Sequence, residues 1–158
     1  MNEHRRVTIR TACEADLSAI IALLADDRLG AAREQRSDMA AYQAAFREIA
    51  ADPNNELLVA ERDQAVVGVL QLTCIRYLTF RGGRRAQIEG VRVAASCRGQ
   101  GIGAQLIGAA IERARQRSCH LVQLTTDHRR PEALRFYERL GFANTHDGLK
   151  LHLAGETP

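Results

Sequence analysis

The stretch Val91-Arg-Val-Ala-Ala-Ser-Cys-Arg-Gly-Gln-Gly-Ile-Gly103 reads as a strand that runs through a glycine-rich turn directly into a helix. Gly99, Gly101 and Gly103 remove side chains where backbone N–H groups must converge. Past the turn, Ile102, Leu106, Ile107, Ala110, Ile111 and Ala114 fall on one side of a helix, whose positive dipole end points back at the glycines. Backbone donors and a helix N-terminus together make an anion cradle. Closely spaced glycines also mark a plain tight bend; the flanking strand, the amphipathic helix and Arg98 favour phosphate binding over that alternative.

What is absent narrows the phosphate. No Lys-Ser or Lys-Thr follows the last glycine, so the nucleoside-triphosphate loop lacks its lysine and its magnesium ligand. The dinucleotide fingerprint also fails, because its third glycine is misplaced and the turn lies too far along the chain to open a βαβ unit. The stretch resembles instead the pyrophosphate-binding signature of the GNAT superfamily of acyl-CoA-dependent N-acyltransferases, Arg/Gln-x-x-Gly-x-Gly/Ala, which Arg98-Gly-Gln-Gly101-Ile-Gly103 matches in full. Downstream, Ala133-Leu-Arg-Phe-Tyr137-Glu-Arg-Leu-Gly-Phe142 is similar to a later motif of the same superfamily. The resemblance implies an α/β fold of mixed sheet, with about six to seven strands splayed between two parallel strands and about four flanking helices.

Length and composition set outer bounds. At 158 residues, 46% hydrophobic and 26% charged, the chain is long enough to bury a core and is expected to form one domain over residues 1–158. The apolar run Ala19–Ala25 is far too short to span a bilayer, and no signal-peptide pattern follows Met1, so a cytoplasmic location without membrane attachment is expected. Cys13, Cys74, Cys97 and Cys119 have neither metal-ligand spacing nor a Cys-x-x-Cys, which points to reduced thiols and no metal. Cys97, beside Arg98 and a helix start, is read either as an activated thiol or as loop filling. A net charge of +3 with dispersed basic residues does not make a nucleic-acid footprint.

Taken in order, Val7–Thr11 alternates as a strand, and Leu17, Ile20, Ile21 and Leu24 follow helical spacing, with Gly30 as the expected stop. Asp38 is the expected N-cap of a second helix carrying Met39, Tyr42, Phe46 and Ile49, which Asp52-Pro-Asn-Asn55 ends. Glu56–Glu61 and Val66–Arg76 read as a hairpin, followed by a loop of aromatics, glycines and arginines, Tyr77–Arg85, and the strand Ala86–Val93. Gly90 inside that strand suggests a bulge. After the central helix come a parallel strand, His120–Thr126, and a last helix opened by Pro131 and capped by Gly141. Phe142–Thr145 and Leu149–Leu153, around Asp147-Gly148, predict a terminal hairpin.

The resemblance assigns roles. It implies acetyl-CoA as acyl donor, held by Arg98, Gly99, Gln100, Gly101, Ile102 and Gly103 at the pyrophosphate and by the backbone of Val91 and Val93 along the pantetheine arm and thioester. Tyr137 matches the tyrosine that lies against the donor and protonates the leaving thiolate; without the motif it would read as core between Leu134 and Leu140. Glu89 is the candidate base, since an ammonium of pKa about 10.4 costs roughly 4 to 5 kcal/mol to deprotonate at pH 7. Its alternative is a structural carboxylate paired with an arginine, with water as base. Many relatives carry an asparagine where this chain has Arg130 before Pro131, so that residue's contacts are not carried over.

Together these imply acetyl transfer by direct attack to a primary amine of a small molecule or peptide, and the family resemblance alone implies a homodimer. The rival is a non-catalytic acyl-CoA-binding regulatory module; a DNA-binding regulator lacks a helix-turn-helix pattern. For the acceptor, Asp26 and Asp27 would attract cationic amines, whereas Arg81, Arg84 and Arg85 would attract acidic ones.

Overall fold

Strand register decides what faces what. In the computed structural model, which describes residues 6–26 and 38–153, β1 (Thr8–Thr11), β2 (Asn55–Arg62), β3 (Ala65–Arg76) and β4 (Arg84–Val93) are antiparallel neighbours, and β5 (Leu121–Leu124) pairs parallel to β4. The helices are α1 (Leu17–Ala25), α2 (Met39–Ala51), a single turn α3 (Thr79–Gly82), α4 (Ile102–Gln116) and α5 (Pro131–Arg139). The chain divides into two compact units, residues 1–124 and 125–158.

In the first unit both faces of the sheet are covered. Leu58, Leu70, Leu72 and Ile88, each at most 2% exposed, stand on one face with Leu106 and Ile107 of α4 among the fully buried side chains. Gly68 lies under this helix, where an added Cβ would stand 2.9 Å from Leu106 Cδ1 and 3.2 Å from the Arg92 carbonyl, so only glycine lets α4 approach. On the other face Ile20 and Leu23 of α1 pack with Val59 and Val69, while Leu17 and Ile21 meet Phe46 of α2. Each such side chain contributes roughly 1.5–3 kcal/mol by leaving water.

Two buried carboxylates tie the elements together. Asp16, 7% exposed, accepts both Arg10 terminal nitrogens at 2.7 and 2.9 Å and the Cys13 N–H at 2.8 Å, closing the entry to α1. Glu56, 8% exposed, pairs with Arg113 and with Arg117 at 2.8 Å and accepts from Thr11 Oγ1 at 2.6 Å. That cluster fastens the C-terminal half of α4 to β1 and β2.

Most expected elements are present. Asp38 Oδ1 accepts from Ala41 N at 3.3 Å and caps α2. The β2–β3 hairpin turns on Asp63 and Gln64, both at positive φ (52° and 63°). Gly141, at φ 92°, ends α5 with Gly141 N–H donating to Glu138 O and Phe142 N–H to Tyr137 O, a Schellman closure. The helix stop placed at Gly30 lies outside the described residues; α1 ends at Ala25.

The terminal hairpin is not formed. Among the described residues nothing beyond α5 is a strand, so the sheet has five strands rather than six or seven. Leu149, Leu151 and Leu153 are 94%, 85% and 93% exposed. Alternation and an Asp-Gly turn nucleate a hairpin, but two strands hold only when their apolar face is buried.

Candidate active site

β4 is the element on which the site is built. Its register against β3 jumps from Gln71↔Glu89 to Val69↔Arg92, so Gly90 and Val91 together oppose Leu70. Gly90 sits at φ 62°, the left-handed glycine of a bulge, as its place in the strand suggests. On the other edge of β4 the pairing with β5 stops at Ile88↔Leu124. Beyond it, Ala94 N–H donates to Val67 O at 2.9 Å on the β3 side. Backbone groups alternate along a strand, so the Val93 N–H and C=O face the opposite edge, which β5 does not cover.

That edge leads without interruption into the glycine turn. A 3-10 turn at Ala95–Cys97 is followed by Gly99 at φ 73° and Gly101 at φ 78°, and Gly101 is the N-cap of α4 with no side-chain cap. The first helical bond is Gln105 N–H to Gly101 O at 3.1 Å, which leaves the amides of Ile102, Gly103 and Ala104 without helical acceptors. A Cβ built on Gly99 or Gly101 meets nothing within 4 Å. Glycine is therefore required there by backbone conformation and not by packing.

Side chains of the turn brace it. Arg98 folds back, its Nε donating to Val93 O at 3.1 Å and Nη2 to Asp26 O at 3.3 Å. Gln100 donates to Ser96 O at 3.0 Å and accepts from Arg62 Nη1 at 2.6 Å. Arg62 also donates to Cys97 Sγ at 2.8 Å, and Cys97 is 2% exposed, so the thiol is packed inside the turn. No local pattern points to Arg62, which lies 35 residues from Cys97.

Glu89 lies on the sheet face covered by α1, opposite Gln71, and is exposed. Among the described residues no hydrogen bond or ion pair engages its carboxylate. The face beside it is polar: Gln71 and Thr73 donate to Asn55 Oδ1 at 3.1 and 2.7 Å, and Gln123 donates to Gln87 Oε1 at 2.7 Å. Polar residues at i, i+2 on consecutive strands were the available sequence signal for this stripe. Asp26 is described and Asp27 is not, so the acidic acceptor-side pair lies partly outside the described residues.

In the second unit, Tyr137 is half-buried on α5, its ring edge-on to Phe136 at 5.1 Å and to Phe142 at 5.9 Å. Pro131 opens the helix, and Asp127 accepts from Arg129 N–H at 2.9 Å and Arg129 Nη2 at 2.8 Å just before it. Among the described residues no group of three or more His, Cys, Asp or Glu could hold a metal, and no helix is long and apolar enough to cross a membrane.

Comparison with known proteins agrees with this architecture. Residues 18–142 match the Acetyltransferase (GNAT) family. The chain is 30% identical to the aminoalkylphosphonate N-acetyltransferase of Salmonella typhimurium, covering 87% of this chain and 86% of that protein. It is 31% identical to glucosamine 6-phosphate N-acetyltransferase 1 of Oryza sativa subsp. japonica, over 65% of this chain and 62% of the relative. Among solved structures, a transcriptional regulator from Bacillus halodurans C-125 superposes with a TM-score of 0.91 at 55% identity, covering 94% of this chain and all (100%) of the other.

Proposed function

The chain belongs to the GNAT family of acetyltransferases, and on that footing we propose that it transfers an acetyl group from acetyl-CoA to the primary amine of a small molecule or peptide by direct attack, with both units serving one domain. The observation that carries this reading is the unbroken run from a strand edge that β5 leaves unpaired, through a glycine turn in left-handed conformation, to the uncapped start of α4. Those residues fit the donor: the amides from Gly99 to Gly103 would take the pyrophosphate, and the edge of Val91 and Val93 the pantetheine arm.

Bound acetyl-CoA supplies an acetyl group activated as a thioester. The Val93 N–H donates to the carbonyl oxygen and stabilises the charge that grows there. Glu89 takes a proton from the acceptor ammonium, directly or through one water; its unengaged carboxylate is free to do so. As the nitrogen–carbon bond forms and the carbon–sulfur bond breaks, the Tyr137 O–H gives its proton to the departing sulfur, a role that rests on its motif, and the acylated nitrogen releases its remaining extra proton through water, which restores the tyrosine. Both curated relatives are named for small amines that carry a phosphorus oxyanion, which favours a small-molecule acceptor here.

A CoA-release assay across small amines tests the reading. Tyr137→Phe should lower kcat by about 10²–10⁴ while preserving the stabilisation by acetyl-CoA; unchanged turnover with chemistry rate-limiting would remove Tyr137 from the mechanism. The 55% identity to a protein described as a transcriptional regulator favours one second reading, a non-catalytic acyl-CoA-binding regulatory module. That module would bind acetyl-CoA and release no CoA with any amine. The family resemblance also carries a cytoplasmic homodimer, for which sedimentation at micromolar concentration is the check.

A further inference from the structure

At the start of β4, away from the glycine turn, Arg85 is held in a way that acetyl transfer itself does not use. Alternation puts Arg85, Gln87 and Glu89 on one face of the strand, with Ala86 and Ile88 buried on the other. The Arg85 guanidinium carbon lies 4.8 Å from the centroid of the Tyr77 ring. Its Nε is buried without a hydrogen-bond partner, and among the described residues no carboxylate pairs with the group.

The platform beneath it is built. The Tyr77 hydroxyl is hydrogen-bonded to His120 Nε2, its ring stands edge-on to Phe80 at 6.0 Å, and Tyr77 N–H donates to Gly83 O at 3.2 Å. Phe80 and Arg81 in this turn adopt left-handed conformations, φ 54° and 56°, uncommon for residues other than glycine. Gly83 leaves His120 its place, since a Cβ there would stand 3.1 Å from the ring.

The field at this end of the sheet is positive. Arg76 and Arg84 are paired across β3 and β4, and they donate to the carbonyls of Gly82 and Arg117, which leave their charge unneutralised. Along the Arg85 face, Gln87 bonded to Gln123 makes a neutral polar floor, and at its far end stands the unpaired Glu89. One strand face thus carries a free guanidinium and a free carboxylate about 13 Å apart at their Cα atoms.

We propose that Arg85 is the anion-recognising residue of the acceptor site and that the acceptor is an amine bearing a phosphonate or phosphate group. The amine is directed to Glu89 and the oxyanion to the guanidinium fork, which sits over the Tyr77 ring. A dianion gains more than a carboxylate does from the Arg85 guanidinium, which has no carboxylate partner among the described residues, so phosphorus oxyanions are preferred. This rests on the acetyltransferase reading.

The test compares kcat/KM for 3-aminopropylphosphonate with that for propylamine. The ratio should fall about 10–100-fold in Arg85→Ala, and most of that fall should persist in Arg85→Lys, which keeps the charge but loses the planar fork. A retained acetyl-CoA thermal shift shows that the variants are folded, and Arg85→Lys serves if Arg85→Ala is not. An unchanged ratio overturns the assignment; 4-aminobutyrate served as well as the phosphonate overturns the preference for phosphorus. If wild type turns over no amine, the acetyltransferase reading fails on its own. Methylphosphonate then decides Arg85 separately: it should raise the melting temperature of wild type and not of Arg85→Ala, and equal or absent shifts reject the site.

Discussion

Gly101→Asn separates the two reasons for which a glycine stands at the start of α4. At φ 78° and ψ 0° a side chain costs about 1–2 kcal/mol in backbone conformation. No packing cost adds to it, because an added Cβ meets nothing within 4 Å. Alanine should therefore lower the melting temperature by about 2–8 °C, at about 2–4 °C per kcal/mol for a chain of this size. Asparagine tolerates the left-handed region better than alanine does, so the unliganded protein should melt closer to wild type. The same side chain then stands in the turn that a pyrophosphate has to approach. Acetyl-CoA at 100 times its dissociation constant should stabilise wild type by about 2.7 kcal/mol, or about 5–11 °C, and Gly101→Asn by almost nothing. Differential scanning fluorimetry with and without acetyl-CoA reads both effects. A full ligand shift in Gly101→Asn would refute the turn as the donor cradle.

Two further outcomes follow from carboxylates. With Glu89 as base, kcat/KM should rise with pH in wild type, while Glu89→Gln should lose the lower limb and recover partly at high pH where the amine is already neutral; a lowered melting temperature with an unchanged pH profile would make Glu89 structural. The Arg10 guanidinium holds the Asp16 carboxyl well below the usual carboxylate range, so its stabilisation is fully present above the unfolded pKa of about 3.9 and fades as pH falls below it. Asp16→Asn should cost roughly 1.5–3 kcal/mol at pH 7 and flatten the loss of melting temperature between pH 5 and pH 2; an equally steep loss would place the acid-sensitive group elsewhere.

What could be read in the chain was what short-range chemistry dictates. The strand-turn-helix of Val91–Gly103, the Asp38 cap and the Gly90 bulge each announce themselves within a few residues, and each is present. The terminal hairpin was misread because Asp147-Gly148 reports turn preference alone, whereas a strand exists only if a neighbour buries its face. Arg62 under the glycine turn and the Tyr77–His120 clamp under Arg85 were invisible for a different reason. Such contacts join residues 35 and 43 positions apart, and no local pattern encodes them.

The Glu56 cluster gives α4 the mechanics of a lever. The helix is about 22 Å long, pinned at Arg113 and Arg117 near one end, with its unshared amides at the other. A rotation of only a few degrees about the pin would carry the free end by about an ångström, the scale on which positioning errors become costly. Glu56 touches neither the glycine turn nor β4, yet the accuracy with which the helix tip is aimed depends on it. Substitutions at Glu56, Arg113 or Arg117 would accordingly mimic damage to the glycine turn, and a screen for lost donor affinity would recover positions a full helix length away.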